Sequence, residues 1–150
     1  MRKLISSYLI LPIIVISLSA CDPAYIKNVK VTAPVFDQSI KSRVIGADLL
    51  ENVLNDIDEI ANRQGLIKED VSQYVDPLWL RTYYARDEDN PLAARGVTRI
   101  DISISEDNSC LIIHFFDFPT FSQSQLSQNV EQDLTKVLTK KYGLNWILQK

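Results

Sequence analysis

Histidine, cysteine and glycine are scarce in this sequence of 150 residues, which holds one His, two Cys and four Gly. So few His and Cys exclude zinc fingers and disulfide-rich scaffolds, because both need several such residues at fixed spacings. So few glycines exclude a collagen-like chain. An excess of positive charge is also missing, with 16 Lys and Arg against 19 Asp and Glu. Because nucleic-acid binders need a basic surface that releases counterions, we expect no nucleic-acid partner.

The first twenty residues have the organisation of a secretory signal peptide. Arg2 and Lys3 form a positive start, residues 4–18 are almost entirely apolar, and two small residues follow. This order of a charged, an apolar and a small-residue region is typical of a segment that is cleaved after export. The alternative is an uncleaved membrane anchor. It is disfavoured because the apolar stretch is shorter than the roughly 20 residues that a span needs and is interrupted by Pro12.

The end of this segment, Leu18-Ser19-Ala20-Cys21, resembles the lipobox of bacterial lipoproteins. The resemblance implies cleavage before Cys21 and the attachment of fatty acyl groups, such as palmitate, to its sulfur and amine. Two or more acyl chains hold a protein stably in a bilayer. Asp22 follows, and an Asp at this place resembles the signal that retains enterobacterial lipoproteins in the inner membrane. We therefore expect the periplasmic face of the inner membrane, with the outer membrane as the alternative.

The mature chain that this cleavage would leave differs in charge and in free thiols from the full sequence. Its Lys and Arg fall from 16 to 14 while the 19 Asp and Glu remain, so the formal charge becomes −5 instead of −3. A negative domain is repelled by an anionic bilayer, so the lipid must hold it there. Cys110 becomes the one free thiol, and its apolar neighbours predict that it is buried. A reactive or intermolecular-disulfide role is the alternative.

Two segments of the mature chain show the periodicity of amphipathic helices. The first lies between Gly46 and Gly65, with Asp48 suited to the positive end of the helix. The second begins near Ser122 and Gln125, which are spaced as in a capping box, and ends at Gly143. The apolar stripes are formed by Leu49, Leu50, Val53, Leu54, Ile57, Ile60 and Ala61 in the first segment, and by Leu126, Val130, Leu134, Val137 and Leu138 in the second.

Strand patterns lie between and around these helices. Val97 to Ser105 alternates between apolar and polar residues, whereas Cys110 to Phe118 is apolar on both faces, as in a central strand. The four residues 106–109 form the turn, and the hairpin then pairs residues whose numbers sum to 215. Ile104 faces Leu111, Ile102 faces Ile113, Ile100 faces Phe115 and Asp101 faces His114. Shorter strands are predicted at Tyr25–Thr32 and Leu144–Leu148.

These elements predict an α+β domain, with two helices on one face of a small, mainly antiparallel sheet. Their order resembles the ferredoxin-like β-α-β-β-α-β arrangement with an insertion at 66–96, which places the second strand at an edge and the third inside. Within the insertion, Lys68–Tyr74 reads as a short helix. We divide the chain into a cleaved signal peptide (1–20), an anchor and tether with a short strand (21–43) and one globular domain (44–150).

Few residues carry a pattern that indicates catalysis or metal binding. Asp101 opposite His114 would orient the imidazole and raise its pKa, as in a catalytic dyad. The ordinary interpretation is a cross-strand polar pair, since no nucleophile motif lies nearby. The acidic run 87–90 fails the EF-hand pattern, because Leu92 and Thr98 occupy the Gly and Glu positions. We expect no metal, no cofactor and no enzymatic activity.

The face of the central strand away from the helices presents a run of apolar side chains, and a large exposed patch of this kind usually marks a partner site. Either the aromatic segment within 66–96 covers this face, or a partner does. The candidate surface comprises Trp79, Tyr83, Tyr84, Ile112, Phe116 and Phe118. We expect a lipoprotein that binds another protein, as an accessory subunit of an envelope complex or as an immunity protein or inhibitor. The alternative is a small envelope hydrolase or ligand-binding domain that uses Asp101 and His114.

Overall fold

A computed structural model describes residues 24–33, 45–70, 76–85 and 98–149. The predicted signal peptide with Cys21 and Asp22, and the acidic run 87–90, lie outside these residues. The described elements, in chain order, are β1 (Tyr25–Thr32), α1 (Ala47–Arg63), β2 (Ile67–Glu69), β3 (Trp79–Ala85), β4 (Thr98–Ile104), β5 (Cys110–Asp117), α2 (Gln125–Lys140) and β6 (Asn145–Leu148).

All six strands join one antiparallel sheet in the order β2-β3-β4-β5-β1-β6. The predicted α+β class is confirmed, and β5 is internal as its two apolar faces require. The prediction that β4 forms an edge is wrong, because β3 pairs along its outer side. The described strands of the insertion therefore lengthen the sheet at the β4 side. The helix predicted at 68–74 is also wrong at residues 68–69, which belong to β2, and residues 71–74 lie outside the described chain.

The central hairpin has the register that the sequence predicts. Ile104 pairs with Leu111, Ile102 with Ile113, Ile100 with Phe115 and Asp101 with His114. This register follows from burial, because a slip of one residue would turn the isoleucines of β4 to the opposite face. The turn includes Asn108 with φ of 52°, a value that Asn tolerates better than most residues.

The helix ends are only partly as predicted. After α1, the N–H groups of Gly65 and Leu66 donate to the carbonyls of Asn62 and Ala61, and Gly65 adopts φ of +77°. This pair of bonds is the Schellman motif, in which glycine supplies the left-handed residue. The capping box predicted at Ser122 is wrong, because Ser124 is the N-cap of α2.

The two helices pack on one face of the sheet. The Tyr83 hydroxyl of β3 donates a 2.6 Å hydrogen bond to Asp58 of α1, and Lys27 of β1 forms an ion pair with Glu131 of α2. Between these contacts lies the core, to which the strands contribute Val29, Val31, Ile100, Ile102, Ile104, Leu111, Ile113 and Phe115, and the helices Val53, Ile57, Ile60, Val130, Leu134 and Leu138.

The predicted tether at 21–43 contains an integral strand of the domain. β1 lies between β5 and β6 and pairs with both along its length. The domain therefore begins at least as early as Tyr25, because removing β1 would separate β6 from the rest of the sheet. In the described parts of the chain, neither helix has the length and apolar character needed to cross a membrane.

Candidate interaction surface

The sheet side turned away from α1 and α2, here called the open face, carries side chains in rows that run across the strands. In the described chain no helix packs on this face. Alternate residues of each strand point to it, and the pairing register brings them side by side. Three rows are defined by these pairings: the Tyr84 row, the Asp101 row and the Trp79 row.

The Tyr84 row is mainly apolar and crosses five strands from β2 to β1. Its members are Ile67, Tyr84, Arg99, Phe116 and Ile26. Ile67 and Ile26, at the two ends, are 44% and 63% exposed. The members between them are partly exposed, so the row forms a continuous apolar strip with one cation in its middle.

The Asp101 row is polar along the same five strands. Its members are Glu69, Thr82, Asp101, His114 and Asn28. Both carboxylate oxygens of Asp101 accept from Nε of Arg99, at 2.8 and 2.9 Å, and its Oδ1 also accepts from Oγ1 of Thr82 at 2.8 Å. Asp101 is thus held in a buried ion pair with its neighbour on β4.

The Trp79 row combines an aromatic ring with aliphatic side chains. Its members are Trp79, Ser103, Ile112, Lys30 and Ile147. Trp79 reaches this face because the register shifts between Trp79 and Arg81. Ile147, on the edge strand β6, is 47% exposed and ends the row.

His114 lies at the centre of the open face and bonds to residues other than Asp101. Its Nδ1 is 2.9 Å from Oδ1 of Asn28, and its Nε2 is 3.4 Å from Oγ of Ser103. Because an amide oxygen only accepts, Nδ1 carries the proton and Nε2 accepts. The imidazole ring stacks on Trp79. Among the described residues, neither ring nitrogen is hydrogen-bonded to Asp101.

The protonation of His114 also differs from the sequence prediction. Burial lowers its pKa below the usual 6.5, and the charge of Asp101 opposes this effect without overcoming it. The charge of Asp101 thus acts in the predicted direction, but the net shift of the His114 pKa is downward, opposite to the prediction. Desolvation of the imidazole explains the difference, because it is the larger of the two effects.

The open face receives most of the residues predicted for the partner surface. Trp79, Tyr84, Ile112 and Phe116 point to it and are partly exposed, and Phe118 directly follows β5. The prediction is corrected at Tyr83, which is only 1% exposed and points to the helices. Adjacent strand residues face opposite sides, so Tyr83 and Tyr84 cannot both belong to one surface.

The exposed rim of this surface and the partners of His114 were not predicted from the sequence. Ile26, Ile67 and Ile147 lie on strands whose neighbours the sequence did not identify, so their face was unknown. Asn28 lies 86 positions before His114 in the chain, and the antiparallel pairing of β1 with β5 brings them together. The alternation of β1 was the one available signal, since it places Ile26 and Asn28 on the same face.

Neither a metal site nor a similarity to known proteins assigns a further role to the described residues. Within residues 24–33, 45–70, 76–85 and 98–149, no three His, Cys, Asp or Glu side chains form a group that could hold a metal ion. Comparison with known proteins finds no matching protein family, no similar curated protein and no similar solved structure.

Proposed function

We propose that this chain is a membrane-anchored periplasmic lipoprotein whose open face binds another protein, without catalysis. The Leu18-Ser19-Ala20-Cys21 motif supports the anchoring, because it ends a segment with the charge and apolar pattern of a signal peptide. Asp22 favours retention in the inner membrane over transfer to the outer membrane. The anchor would keep the open face close to proteins of the envelope.

The observation that carries the binding role is the composition of the open face. Trp79, Tyr84 and Phe116 lie there with Arg99, and aromatic residues and Arg are enriched where proteins meet. The described chain leaves this face without a packed helix, although the opposite face is covered by two. The aliphatic rim extends the surface to both edges of the sheet, as expected for a contact area larger than a small-molecule pocket.

Two partner classes fit this proposal: a subunit of an envelope complex, or a toxin that an immunity lipoprotein neutralises. Both would use the open face, so variants of this surface affect either role. The two classes are distinguished by the function that a variant of the open face loses. An accessory subunit loses co-purification with its complex, whereas an immunity protein loses the protection of cells that meet the toxin.

The anchoring is tested by replacing Cys21 with Ala. The unmodified protein should sediment with membranes and carry the mass of acyl chains. The Cys21→Ala variant should be released from membranes or remain unprocessed. If its size and membrane association match those of the wild type, and neither protein incorporates labelled fatty acid, the lipoprotein assignment is wrong.

The binding surface is tested by photo-crosslinking in living cells. A photoreactive amino acid is placed at Tyr84, Ile112 or Phe116, and at Gln132, which is exposed on α2, as the matched control. We expect one product of defined additional mass at the open-face positions and none at Gln132. Crosslinked products with the mass of the monomer at every open-face position would contradict the proposal, because another segment of the same chain would then cover this face.

A second candidate function is a serine hydrolase, favoured by the order Ser103–His114–Asn28. Hydroxyl, imidazole and amide follow one another as in Ser-His-Asp triads. The N–H of the residue after the nucleophile often helps to form the oxyanion hole. Here the residue after Ser103 is Ile104, and its N–H already donates to the carbonyl of Leu78 at 2.9 Å. This N–H would have to leave Leu78 before it could bind an oxyanion. Labelling by a fluorophosphonate that disappears in Ser103→Ala and His114→Ala would support hydrolysis over binding.

A further inference from the structure

We infer that the end of the domain where β1 begins lies on the lipid surface and contacts it through exposed apolar side chains. This inference rests on the proposed acylation of Cys21. The region, here called the lipid-facing end, comprises Ile26 and the connection between β5 and α2, residues 118–124. Its ligand is the interfacial layer of a bilayer.

Chain length places this end near the membrane. Four residue steps separate Cys21 from Tyr25, and an extended chain covers at most about 14 Å over that distance. Tyr25 pairs with Asp117, the last residue of β5, so the connection that follows β5 starts beside the tether. The opposite end of β5, at Cys110, is roughly 24 Å further along the strand. An anchored Cys21 therefore holds the 118–124 connection close to the lipid head groups.

The side chains of this connection suit the interface of a bilayer. Residues 118–124 include no Asp, Glu, Lys or Arg. Phe121 is 87% exposed, the highest value among the exposed large apolar side chains. Two carboxylates contact this connection. Asp117 is fully buried and accepts from the backbone N–H and the hydroxyl of Ser124, and Glu131 accepts from Gln123 and is ion-paired with Lys27. The 118–124 connection therefore presents an exposed aromatic side chain and no charged side chain of its own.

A second exposed apolar residue lies beside this connection. Ile26 is 63% exposed and is paired with Phe116, two residues before Phe118. Ile26 and Phe121 thus extend apolar surface from the start of β1 to the loop before α2. Aromatic and aliphatic side chains at such positions are typical of proteins that rest on the bilayer boundary.

The opposite end of the β4–β5 hairpin carries negative charge. The turn between β4 and β5 exposes Glu106 and Asp107, and hydrogen bonds from Ser105 and Ser109 lower the pKa of Asp107 to about 2. Asp107 is therefore ionised at physiological pH, and anionic lipid would repel its charge. The 118–124 connection beside the tether thus carries no charged side chain of its own, whereas the turn at the far end of β5 is acidic, which favours an orientation with the connection towards the lipid.

This orientation deepens the proposed function, because it leaves most of the open face accessible. The Trp79 row lies further from the tether than the Tyr84 row, as the pairing of β1 with β5 requires. A partner protein can then approach Trp79 and Ile112 from the side while Ile26 and Phe121 contact lipid.

The inference is tested by measuring the polarity of the surroundings of residue 121. The acylated, full-length protein is reconstituted in phosphatidylethanolamine and phosphatidylglycerol vesicles. Phe121→Cys and, as the matched control, Glu106→Cys are labelled with an environment-sensitive fluorophore. Both positions are exposed, so neither change should disturb the core, and Cys110 is too buried to take the label. We expect blue-shifted emission and quenching by brominated acyl chains at position 121, and water-like emission without quenching at position 106.

Equal, water-like emission at both positions in acylated protein would overturn the lipid contact alone. Absence of acyl mass on the wild-type protein would instead overturn the lipoprotein assignment, so the two failures are distinguishable. Vesicles with phosphatidylcholine only should keep the blue shift at position 121, because the proposed contact is apolar and does not depend on lipid charge.

Discussion

Trp79 stacks on His114 with ring centroids 5.9 Å apart and ring planes inclined by 23°. The two residues lie on β3 and β5, so the indole spans the intervening strand β4 on the open face. The stack joins the insertion to the central strand of the sheet. It also covers the imidazole, which is consistent with the lowered pKa of His114.

We predict that His114 titrates below its usual pKa of 6.5, because burial disfavours the imidazolium. His114 is the one histidine of the chain, so its imidazole proton resonances are unambiguous in a nuclear magnetic resonance titration. Trp79→Ala should move the pKa upward by exposing the ring to water. A wild-type pKa above 6.5 would contradict the observed environment.

The same pKa shift predicts how the free energy of unfolding depends on pH. The unfolded chain binds a proton near pH 6.5, whereas the folded protein resists it, so stability falls as pH drops from about 6.5 towards the folded pKa. Carboxylates whose pKa is lowered by their partners, such as Asp58, lose their contribution only in a more acidic range, below their unfolded value of about 3.9. Urea unfolding at pH 7.5 and 5.5 should therefore show a smaller pH effect in His114→Gln than in the wild type. An equal effect in both proteins would assign the dependence to other groups.

Ser124, and not Ser122, should determine the stability of the α2 N-terminus. Its Oγ accepts from the N–H of Ser127 at 3.0 Å and donates to Asp117 at 2.7 Å. We predict that Ser124→Ala lowers the free energy of unfolding by about 1–2 kcal/mol, the range for loss of an N-cap. Ser122→Ala is the control and should change it by less than about 0.5 kcal/mol, as at other exposed positions. The reverse order in chemical denaturation would contradict this capping arrangement.

The Tyr83 hydroxyl joins β3 to α1, and its contribution to the free energy of unfolding can be measured by removing it. Tyr83→Phe keeps the ring and removes the 2.6 Å hydrogen bond to Oδ1 of Asp58. We expect a loss of about 1.5 kcal/mol in urea unfolding, the low end of the range for hydrogen bonds to charged groups. Asp58 retains Lys68 and Arg81 as partners, which limits the loss. A stability equal to that of the wild type would mean that these two cations fully compensate.

Thiol titration should distinguish the two cysteines. Cys110 is 1% exposed, so in the folded protein we expect it to react only as fast as the domain opens. Glu106→Cys, at an exposed position away from the proposed lipid contact, provides the fast-reacting control. In urea, the wild type should show one reactive thiol, because sulfur acylation blocks Cys21. Two reactive thiols would show that Cys21 is unmodified, and fast reaction of folded Cys110 would contradict its burial.

The hairpin and helices were predictable because their signals are local. The alternation of β4 and the apolar character of β5 determine a register within a stretch of about twenty residues. The left-handed conformation of Gly65, which ends α1, is likewise a property of that residue and its neighbours. Ser122 misled the prediction because Ser124 is a second capping residue, and the Asp117 carboxylate that selects it is a tertiary partner.

The sequence by itself determined both helices, the central hairpin and the register that sets Asp101 opposite His114, whereas the signal peptide stays a prediction. Only the tertiary structure decided that β3 extends the sheet past β4, that Tyr83 and Tyr84 take opposite faces, and that Asn28 is the partner of His114. Local patterns fix periodicity because neighbouring residues share one backbone geometry. Strand order and side-chain partners depend on segments many tens of residues apart, whose pairing is chosen by the burial of the whole sheet.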